Sequence, residues 1–546
     1  MRFYFLLTIT IAALELFAPD KGRAQSQGMV VSAQHEASAA GLAILKSGGN
    51  AVDAAVAVGY ALAVVEPCCG NIGGGGFMVI RRADGRETFL DFRETAPAAA
   101  HPGMYGAAED SRYGYRAAGV PGTVAGLDRA LAEYGTLSRA RAMAPAIALA
   151  RDGFVLGTGD IAEIAAKADR LARDPEAARI FVAPAFKPGD RLVQADLAAT
   201  LALVAEHGPD AFYRGPIAER VAAASGGALT PADFAAYRVT ESAPVVCSYR
   251  GYRIASAPPP SSGGTVLCEM LNVLSGWDMA AQKPGSAAEI HRLAETMRHA
   301  YLDRNTWLGD PAFTRNPLAW LLSQEHAAAI RTAIAPDKAT PSASLAAGAP
   351  PHEQPQTTHY SVVDKDGNAV AVTYTINGFF GACVIAPGTG FLLNDEMDDF
   401  TARPGAPNMF GLVQGAANAI APGKRPLSSM TPTIVSRDGR LRLVLGSPGG
   451  PRITTAVLET LVAILDHGAA PREAVDAPRI HHQFLPDTLF YEAGGLSPET
   501  EAALTGMGYS LKEQRHWCSV ELIAAEPGGL VGVNDKRRPG GAAMGY

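Results

Sequence analysis

The chain has 546 residues and a net charge of −7, with 48% hydrophobic and 18% charged residues. At roughly 150 residues per domain, this length corresponds to three or four domains or to fewer large ones. The 47 basic residues form no cluster, which argues against nucleic acid as a partner. The 58 glycines and 38 prolines show no repeat and therefore indicate turns rather than a disordered tract.

The N-terminus has the pattern of a secretory signal peptide. A basic residue precedes an apolar run over about residues 3–17, and the sequence Gly-Arg-Ala at 22–24 fits a cleavage site. The run is too short to span a bilayer, although an N-terminal membrane anchor is the alternative interpretation. We therefore expect residues 1–24 to be removed and the mature protein to be periplasmic or secreted.

Six cysteines are present, and in an oxidising compartment they could form disulfides in many combinations. The sequence does not select one pairing. The adjacent Cys68 and Cys69 are geometrically unfavourable partners for each other. No Cys-x-x-Cys spacing indicates a zinc site.

Two helices are predicted at the start of the mature chain. Residues 36–46 have helical apolar spacing, and residues 52–65 are apolar on all sides and should be buried. A glycine-rich loop follows over 67–76, then β-type runs near 77–82 and 88–92. The loop lacks the Lys-Ser/Thr of a P-loop, so it indicates a turn or close backbone contact rather than a phosphate site. The middle of the chain alternates helical stretches with short turns.

A β-hairpin is predicted after a proline-rich loop that ends at residue 356. Two β-type runs flank the turn sequence Lys-Asp-Gly-Asn at 365–368. If 365–367 is a three-residue loop with Gly367 at its positive-φ position, Thr357 falls opposite Thr375. A two-residue turn would shift the register by one residue, and either register brings the threonines close. The alternative is that both threonines simply suit a β-surface.

A second hairpin is predicted over about 431–446, with Arg-Asp-Gly at 437–439 between its strands. It ends in Ser-Pro-Gly-Gly-Pro at 447–451, and residues 453–465 then have the pattern of a helix. Pro451 fits the first helical position. The alternation of sheets and helices suggests helices packed on stacked sheets.

Several common catalytic patterns are missing or incomplete. The chain has no Gly-x-Ser-x-Gly nucleophile elbow. His35 and Glu36 begin a zinc-protease motif, but Ala39 occupies the place of its second histidine. His481 and His482 are adjacent and would face opposite sides of a strand, so a structural role is favoured over metal binding.

Eight short motifs then occur in order along the chain. They are GGNAVDAA at 48–55, GNIGGGGF at 70–77, DFRE at 91–94, PPSSGG at 259–264, TTHYS at 357–361, NDEMDDF at 394–400, PLSSM at 426–430 and GSPGG at 446–450. With these motifs the chain resembles the γ-glutamyltranspeptidase family of N-terminal nucleophile hydrolases, from about residue 28 to residue 546.

The resemblance implies an α+β fold, a four-layer αββα sandwich. It also implies self-cleavage between Gln356 and Thr357. The precursor would then consist of the signal peptide 1–24, a large subunit 25–356 and a small subunit 357–546, with the two subunits interwoven as one catalytic unit.

The resemblance implies that Thr357 supplies the nucleophilic hydroxyl and, through its freed α-amine, the base. Such an amine has a pKa of about 8, so a useful fraction is neutral at physiological pH. Thr375 would orient the hydroxyl. The backbone N–H groups of Gly449 and Gly450, just before the predicted helix, would stabilise the oxyanion.

The γ-glutamyl donor carries an α-carboxylate and an α-ammonium, so its recognition requires both signs of charge. The resemblance assigns Arg93, Ser428 and Ser429 to the carboxylate, and Asp399, Asn377 and Glu396 to the ammonium. Many bacterial relatives have glutamine in place of Glu396, and either residue can accept a hydrogen bond.

Residues 404–415 resemble the family's lid loop. Phe410 stands where relatives often have tyrosine, so the hydrogen bond that a tyrosine hydroxyl could make is absent from this loop. The implied donors are glutathione and other γ-glutamyl compounds. The acceptors would be water, amino acids or dipeptides, and no metal or organic cofactor is implied.

Two other functions are compatible with parts of this pattern. A cephalosporin acylase of the same fold processes glutaryl groups, which lack the ammonium that Asp399 would bind. A non-catalytic secreted binding protein could keep the fold, but it would have no need for Thr357, Thr375 and the Gly449-Gly450 pair. We therefore expect γ-glutamyl transfer or hydrolysis.

Overall fold

Residues 27–345 and 357–546 are described by a computed structural model of the chain. The expected signal peptide and Gln356 lie outside these residues. The strands are β1 Met29–Ser32, β2 Gly75–Arg81, β3 Glu87–Asp91, β4 Phe154–Val155, β5 Arg191–Leu192, β6 Thr240–Ser242, β7 Val245–Tyr249, β8 Tyr252–Ser256, β9 Thr358–Val363, β10 Ala369–Thr375, β11 Thr433–Arg437, β12 Arg440–Gly446, β13 Ile480–His481, β14 Leu489–Glu492, β15 Leu511–Gln514, β16 Glu521–Glu526, β17 Gly529–Val533 and β18 Ala542–Gly545.

The helices are α1 His35–Lys46, α2 Ala51–Val65, α3 Thr123–Tyr134, α4 Arg139–Asp152, α5 Thr158–Leu171, α6 Pro175–Ala177, α7 Ala195–His207, α8 Asp210–Tyr213, α9 Pro216–Ala224, α10 Pro231–Ala236, α11 Gly263–Leu274, α12 Ala287–Trp307, α13 Leu318–Leu321, α14 Gln324–Ala333, α15 Ser342–Leu345, α16 Arg452–Leu465, α17 Pro471–Asp476 and α18 Pro498–Gly506. Within the described part of the chain, none of them combines the length and apolar character needed to cross a bilayer.

Two antiparallel sheets form the centre of the fold. A seven-stranded sheet has the order β18-β1-β9-β10-β2-β3-β6, and a six-stranded sheet has the order β17-β16-β12-β11-β8-β7. Each sheet contains strands from both sides of Thr357 in the sequence. The two segments that self-cleavage would separate therefore share both sheets.

Alternation along the strands sorts side chains into layers. In β2, Met78 and Ile80 join the core that contains α1, α2 and α3, whereas Phe77 and Val79 join a separate apolar cluster with Ile434 and Val444 of the second sheet. The opposite face of the second sheet packs with α11, α12 and α16 in a third cluster. The layers run helix, sheet, sheet, helix, which confirms the expected αββα sandwich.

The motif at 48–55 forms the start of α2. Asn50 accepts hydrogen bonds from the N–H groups of Val52 and Asp53, and the Asp53 carboxylate accepts from the Asn50 N–H at 2.8 Å. This reciprocal capping satisfies donors that would otherwise be unpaired at a buried helix end. All 15 residues of α2 are buried, as predicted from its apolar sequence.

The β9–β10 hairpin has the expected three-residue loop. Gly367 has φ +89°, and the Asp364 N–H donates to the Asn368 carbonyl at 3.0 Å. The register, in which Tyr374 pairs with Thr358, rules out the two-residue turn. Continued by one residue, this register sets Thr357 opposite Thr375.

The second hairpin differs slightly from the expectation. Arg437 pairs with Arg440, so the loop is the two-residue turn Asp438-Gly439, in which both residues have positive φ. A β-bulge between Val435 and Ser436 absorbs the register change. The helix α16 begins at Arg452, so Pro451 caps it and is not its first residue.

The cysteines form two disulfides, Cys247–Cys268 and Cys68–Cys69. The expectation that the adjacent cysteines would be unfavourable partners is wrong for this site. Both lie in a tight turn after α2, where the N–H groups of Cys69 and Gly70 donate to the Glu66 carbonyl, and this turn brings the two side chains together.

The glycine-rich loop lies where backbone segments touch. A Cβ atom on Gly74 would lie 1.9 Å from the carbonyl oxygen of Thr375, and one on Gly73 would lie 2.0 Å from that of Leu392. The Gly74 carbonyl also accepts from the N–H groups of Gly122 and Thr123. Close backbone contact therefore explains this run, as the sequence predicted.

A Gly74→Ala variant should have a free energy of unfolding lower by about 3 kcal/mol, because the new methyl group overlaps a backbone carbonyl that cannot move independently. Urea denaturation measures this. Gly506→Ala is the control, since a Cβ there meets no atom within 4 Å, and it should change stability by less than about 0.5 kcal/mol. Equal stability of the two variants would contradict the close-contact explanation.

His359 is a polar residue between the two sheets. It is fully buried, its Nδ1 lies 2.8 Å from Thr373 Oγ1, and its Nε2 lies 3.2 Å from Ser361 Oγ. A Cβ on Gly446 of β12 would lie 2.3 Å from the ring. Burial lowers the pKa of His359 to about 3, so the ring stays neutral in the folded protein.

The unfolded chain binds a proton at His359 near pH 6.5, whereas the folded chain does so only near pH 3. The unfolded state thus binds more protons in this window, and stability falls as the pH is lowered through it. A His359→Gln variant should lose about 3 kcal/mol less stability than the parent between pH 7 and pH 4. Denaturant titrations of both proteins at the two pH values measure this, and an equal loss would refute it.

Candidate active site

A pocket lies at the ends of β9, β10 and β11 and at the start of α16, with about 310 Å³ of empty space. It is lined by Arg93, Arg304, Thr357, Thr375, Asn377, Asp399, Phe410, Leu412, Leu427, Ser428, Ser429, Met430, Gly450, Pro451 and Ile453. Eight of the ten site residues expected from the sequence are among them. The other two, Glu396 and Gly449, are adjacent to lining residues.

Thr357 and Thr375 form a pair of neighbouring hydroxyl groups. Thr357 Oγ1 lies 3.4 Å from Thr375 Oγ1, and the Asn377 N–H donates to Thr375 Oγ1 at 2.8 Å. Both threonines are buried, at 4% and 3% exposure. The hairpin register thus holds the hydroxyl of Thr357 next to a second hydroxyl that is itself fixed.

Asn377 and Gly378, which follow β10, are hydrogen-bonded to the NDEMDDF motif. Asn377 Nδ2 donates to the Asp395 carbonyl at 3.0 Å, and the Gly378 N–H donates to Asp395 Oδ1 at 2.8 Å. Asn394 Nδ2 donates to the carbonyls of Gly73 and Gly119. Burial raises the pKa of Asp395 to about 7. The motif therefore carries supporting residues that the sequence reasoning did not identify.

Arg93 is surrounded by carboxylates. Its Nη1 lies 2.8 Å from Glu396 and 3.5 Å from Glu94, and its Nη2 lies 2.6 Å from Asp399. Burial raises the pKa of all three acids, that of Glu94 to about 7, and the Arg93 charge opposes the rise. Three acids compete for one cation, so this part of the site is acidic in character.

The side-chain oxygens of Ser428 and Ser429 each accept a hydrogen bond from another residue of the protein. Ser428 Oγ accepts from the Met430 N–H at 3.1 Å, and Ser429 Oγ accepts from Arg304 Nη2 at 3.2 Å. Neither hydroxyl hydrogen has an acceptor among residues 27–345 and 357–546. Each is therefore available for a ligand oxygen in the pocket.

The PPSSGG motif supports these serines. The Ser428 N–H donates to the Pro260 carbonyl at 2.9 Å, and Ser262 donates to the Ser428 carbonyl through both its N–H and its Oγ. Two motifs that are far apart in the sequence thus form one buried unit beside the pocket.

Gly449 and Gly450 have φ +136° and +56° and immediately precede α16. Their carbonyls accept from the N–H groups of Arg452 and Ile453. Their own N–H groups have no acceptor in the part of the chain that the structure describes. Free donors at a helix N-terminus favour a negative charge in the pocket.

The expected lid loop reaches the pocket through Phe410, which is 4% exposed. The Phe410 N–H donates to Asn408 Oδ1, and its carbonyl accepts from Gln483 Nε2, each at 3.0 Å. Asn408 Nδ2 also lies 3.4 Å from Asp399 Oδ1. Asn408 thus joins the loop to the acidic part of the site, while the side chain of Phe410 belongs to the apolar cluster that contains α11, α12 and α16.

Arg304 is a pocket residue that the sequence reasoning missed. It lies on α12 between helical residues, and nothing in its local sequence marks it.

Two groups outside the pocket have metal-binding residue types within the described chain: Glu66 with the disulfide-bonded Cys68 and Cys69, and a cluster of Glu269, Asp303 and His326.

The gamma-glutamyltranspeptidase family model matches residues 37–545. The glutathione hydrolase proenzyme of Pseudomonas sp. (strain A14) is 53% identical over 544 residues, 95% of this chain and 94% of that protein. The Escherichia coli (strain K12) glutathione hydrolase proenzyme is 46% identical over 546 residues, 97% and 93% of the two chains.

Among solved structures, the cephalosporin acylase from Bacillus halodurans superposes with a TM-score of 0.85 at 26% identity, covering 98% of this chain and 99% of that chain. The family model spans nearly the whole chain, and both curated relatives match it along almost their full length. The chain therefore belongs to the gamma-glutamyltranspeptidase family.

Proposed function

We propose that the protein is a γ-glutamyltransferase and glutathione hydrolase that activates itself by cleavage before Thr357. The observation that carries the proposal is the pocket, in which the Thr357–Thr375 hydroxyl pair lies beside separate acidic and hydrogen-bond-donating groups. The names of the two glutathione hydrolase relatives support the substrate class.

Self-cleavage begins with attack of Thr357 Oγ1 on the carbonyl carbon of residue 356. The peptide C–N bond breaks and an ester to Thr357 forms, while the hydroxyl proton passes to the departing amine. Water then hydrolyses the ester. The products are a carboxylate on residue 356 and a free α-amine and hydroxyl on Thr357.

In the mature enzyme, the α-amine of Thr357 accepts the proton of its own hydroxyl, directly or through water. The oxygen attacks the γ-carbonyl of the donor, and the N–H groups of Gly449 and Gly450 stabilise the oxyanion. The C–N bond then breaks, and the leaving amine takes the proton. Water or an amine acceptor attacks the resulting γ-glutamyl ester and regenerates Thr357.

Donor recognition follows from the charges around the pocket. The α-ammonium binds on the acidic side at Asp399, with Asn377 and Glu396 nearby. The α-carboxylate binds at Arg93 and accepts hydrogen bonds from the hydroxyls of Ser428 and Ser429. A substrate carrying both charges on one carbon fits this arrangement better than a singly charged one.

A glutaryl acylase is the competing function, and the acylase neighbour shares the fold. Glutaryl groups lack the ammonium, so the three buried carboxylates would share the single charge of Arg93 and would together carry excess negative charge. Burying acids without a counter-charge is costly, which favours a γ-glutamyl donor over a glutaryl one.

We also propose that residues 1–24 direct export and are removed, and that the mature protein is a periplasmic or secreted heterodimer of residues 25–356 and 357–546. The subunits stay together because each central sheet contains strands from both segments. Amino acids and dipeptides are the proposed acceptors besides water.

Mass spectrometry of the purified protein should find two chains, one beginning at residue 25 and one at Thr357. Thr357→Ala should remain a single chain and be inactive, because the attacking hydroxyl is gone. Thr357→Ser keeps that hydroxyl and serves as the control that still cleaves. A cleaved Thr357→Ala protein would contradict the mechanism, and a chain beginning at residue 1 would contradict export.

Asp399→Asn should lower kcat/KM for a γ-glutamyl anilide by about 100-fold, because it removes the charge that binds the ammonium. The rate for a glutaryl anilide should change by less than about threefold, since that substrate makes no such contact. Asp398→Asn is the matched control, because Asp398 bonds to Ser111, Arg112 and the Met409 N–H, none of which lines the pocket. It should leave the ratio of the two rates unchanged, and a parent enzyme that prefers the glutaryl anilide would be an acylase.

A further inference from the structure

Arg304 is a buried cation in the wall of the pocket. It projects from α12, its exposure is 2%, and it lines the same cavity as Thr357 and Ser429. The proposed mechanism assigns it no role. Its surroundings differ from those of Arg93, the other buried arginine of the pocket, which contacts three acids.

The hydrogen-bond partners of Arg304 are all neutral. Nε donates to Ser262 Oγ at 3.0 Å, Nη1 to Asn305 Oδ1 at 2.9 Å and Gln414 Oε1 at 3.1 Å, and Nη2 to Ser429 Oγ at 3.2 Å. No carboxylate of the described ranges 27–345 and 357–546 lies within ion-pair distance of it.

Two other buried arginines contact acids. Arg298, on the same helix, lies 3.1 Å from Glu295 and also contacts Asp487, and Arg93 contacts three carboxylates. A buried charge without a counter-ion is destabilising. Burial accordingly lowers the pKa of Arg304 to about 10, where the guanidinium is still charged at neutral pH.

Asp399 opposes the fall in the pKa of Arg304 but forms no ion pair with it. Its Oδ2 is bound to Arg93 at 2.6 Å, and its Oδ1 lies 3.4 Å from Asn408 Nδ2. The pocket therefore has an acidic part around Arg93 and a cationic part at Arg304. The cationic part includes the two serine hydroxyls that have no acceptor in the described protein.

We infer that Arg304 is a positioning residue for the α-carboxylate of the donor, an inference that rests on the proposed function. It acts through Ser429: by donating to that oxygen it occupies a lone pair and leaves the hydroxyl hydrogen to point at the carboxylate. Its charge balances the ligand's negative charge. Arg93, which the resemblance assigns to the same carboxylate, is already surrounded by three acids, so Arg304 adds positive charge that those acids offset at Arg93.

The test uses the processed enzyme and three ligands that differ by one group. L-Glutamate carries both the α-carboxylate and the α-amine, glutarate lacks the amine, and 4-aminobutyrate lacks the α-carboxylate. Arg304→Gln should weaken L-glutamate and glutarate binding by about 30-fold, because the contact of the α-carboxylate with Ser429 loses both its orienting donor and the nearby positive charge. Binding of 4-aminobutyrate should stay within about twofold, because it makes no such contact. Inhibition constants against a γ-glutamyl anilide, or calorimetry, measure these affinities.

Kinetics on the γ-glutamyl anilide give a second readout. The α-carboxylate is bound alike in the ground and transition states, so Arg304→Gln should raise KM and leave kcat within about threefold. Arg304→Lys retains the charge but loses the planar guanidinium group with its several donors. It should weaken the binding of L-glutamate and glutarate alone, by about fivefold. Arg298→Gln removes an equally buried arginine outside the pocket and should leave the ratio of L-glutamate to 4-aminobutyrate affinity unchanged.

Equal weakening of all three ligands by Arg304→Gln, or no weakening, would overturn the inference. If that variant does not fold, Arg304→Lys decides in the same way, since a uniform effect or none overturns the inference and a loss confined to L-glutamate and glutarate supports it. Failure of the proposed function is seen separately, as an unmodified enzyme that does not turn over the γ-glutamyl anilide.

Discussion

The pairing of β9 with β10 is the constraint on which the site depends. The loop closed by Gly367 determines the register, and the register sets Thr357 opposite Thr375 at the end of the hairpin. A shift of one residue would turn every side chain of β9 to the other face and separate the two hydroxyls. Gly74 lets β2 and its loop lie against the Thr375 carbonyl, so the hairpin is supported at the point where its hydroxyls meet.

The second organising feature is the separation of buried charges around one small pocket. Arg93 forms ion pairs with Glu94, Glu396 and Asp399, whereas the hydrogen-bond partners of Arg304 are all neutral. Buried charges of both signs interact strongly at short range, so a zwitterionic amino-acid group can satisfy the two parts of the pocket together. A ligand with one charge would leave one part unsatisfied. The pocket would therefore distinguish ligands by the charged groups that they leave unpaired, and not by their size.

The interleaving of the sheets explains how a cut chain can remain one enzyme. A break before Thr357 lies at the end of β9, whose backbone hydrogen bonds to β1 and β10 are left in place. Thr358 donates to Glu66 at 2.6 Å, which ties the residue after the nucleophile to the loop that follows α2. A new terminus can thus form without releasing the strand that carries it.

Local features of this chain could be predicted from the sequence because they depend on neighbouring residues. The boundaries of α1 and α2, the loop at Gly367 and the sandwich architecture follow from periodicity, from turn chemistry and from the family motifs, and these motifs also indicated most of the pocket lining. The tertiary structure alone showed that the adjacent cysteines bond to each other, that three acids meet at Arg93, and that Arg304 enters the pocket without an acidic partner. The bond between the cysteines depends on the turn closed by the Glu66 carbonyl, and the contact of Arg93 with Asp399 joins residues 306 positions apart. The energies of these tertiary contacts depend on how deeply the groups are buried and on which charges are buried together. No local sequence pattern contains that information.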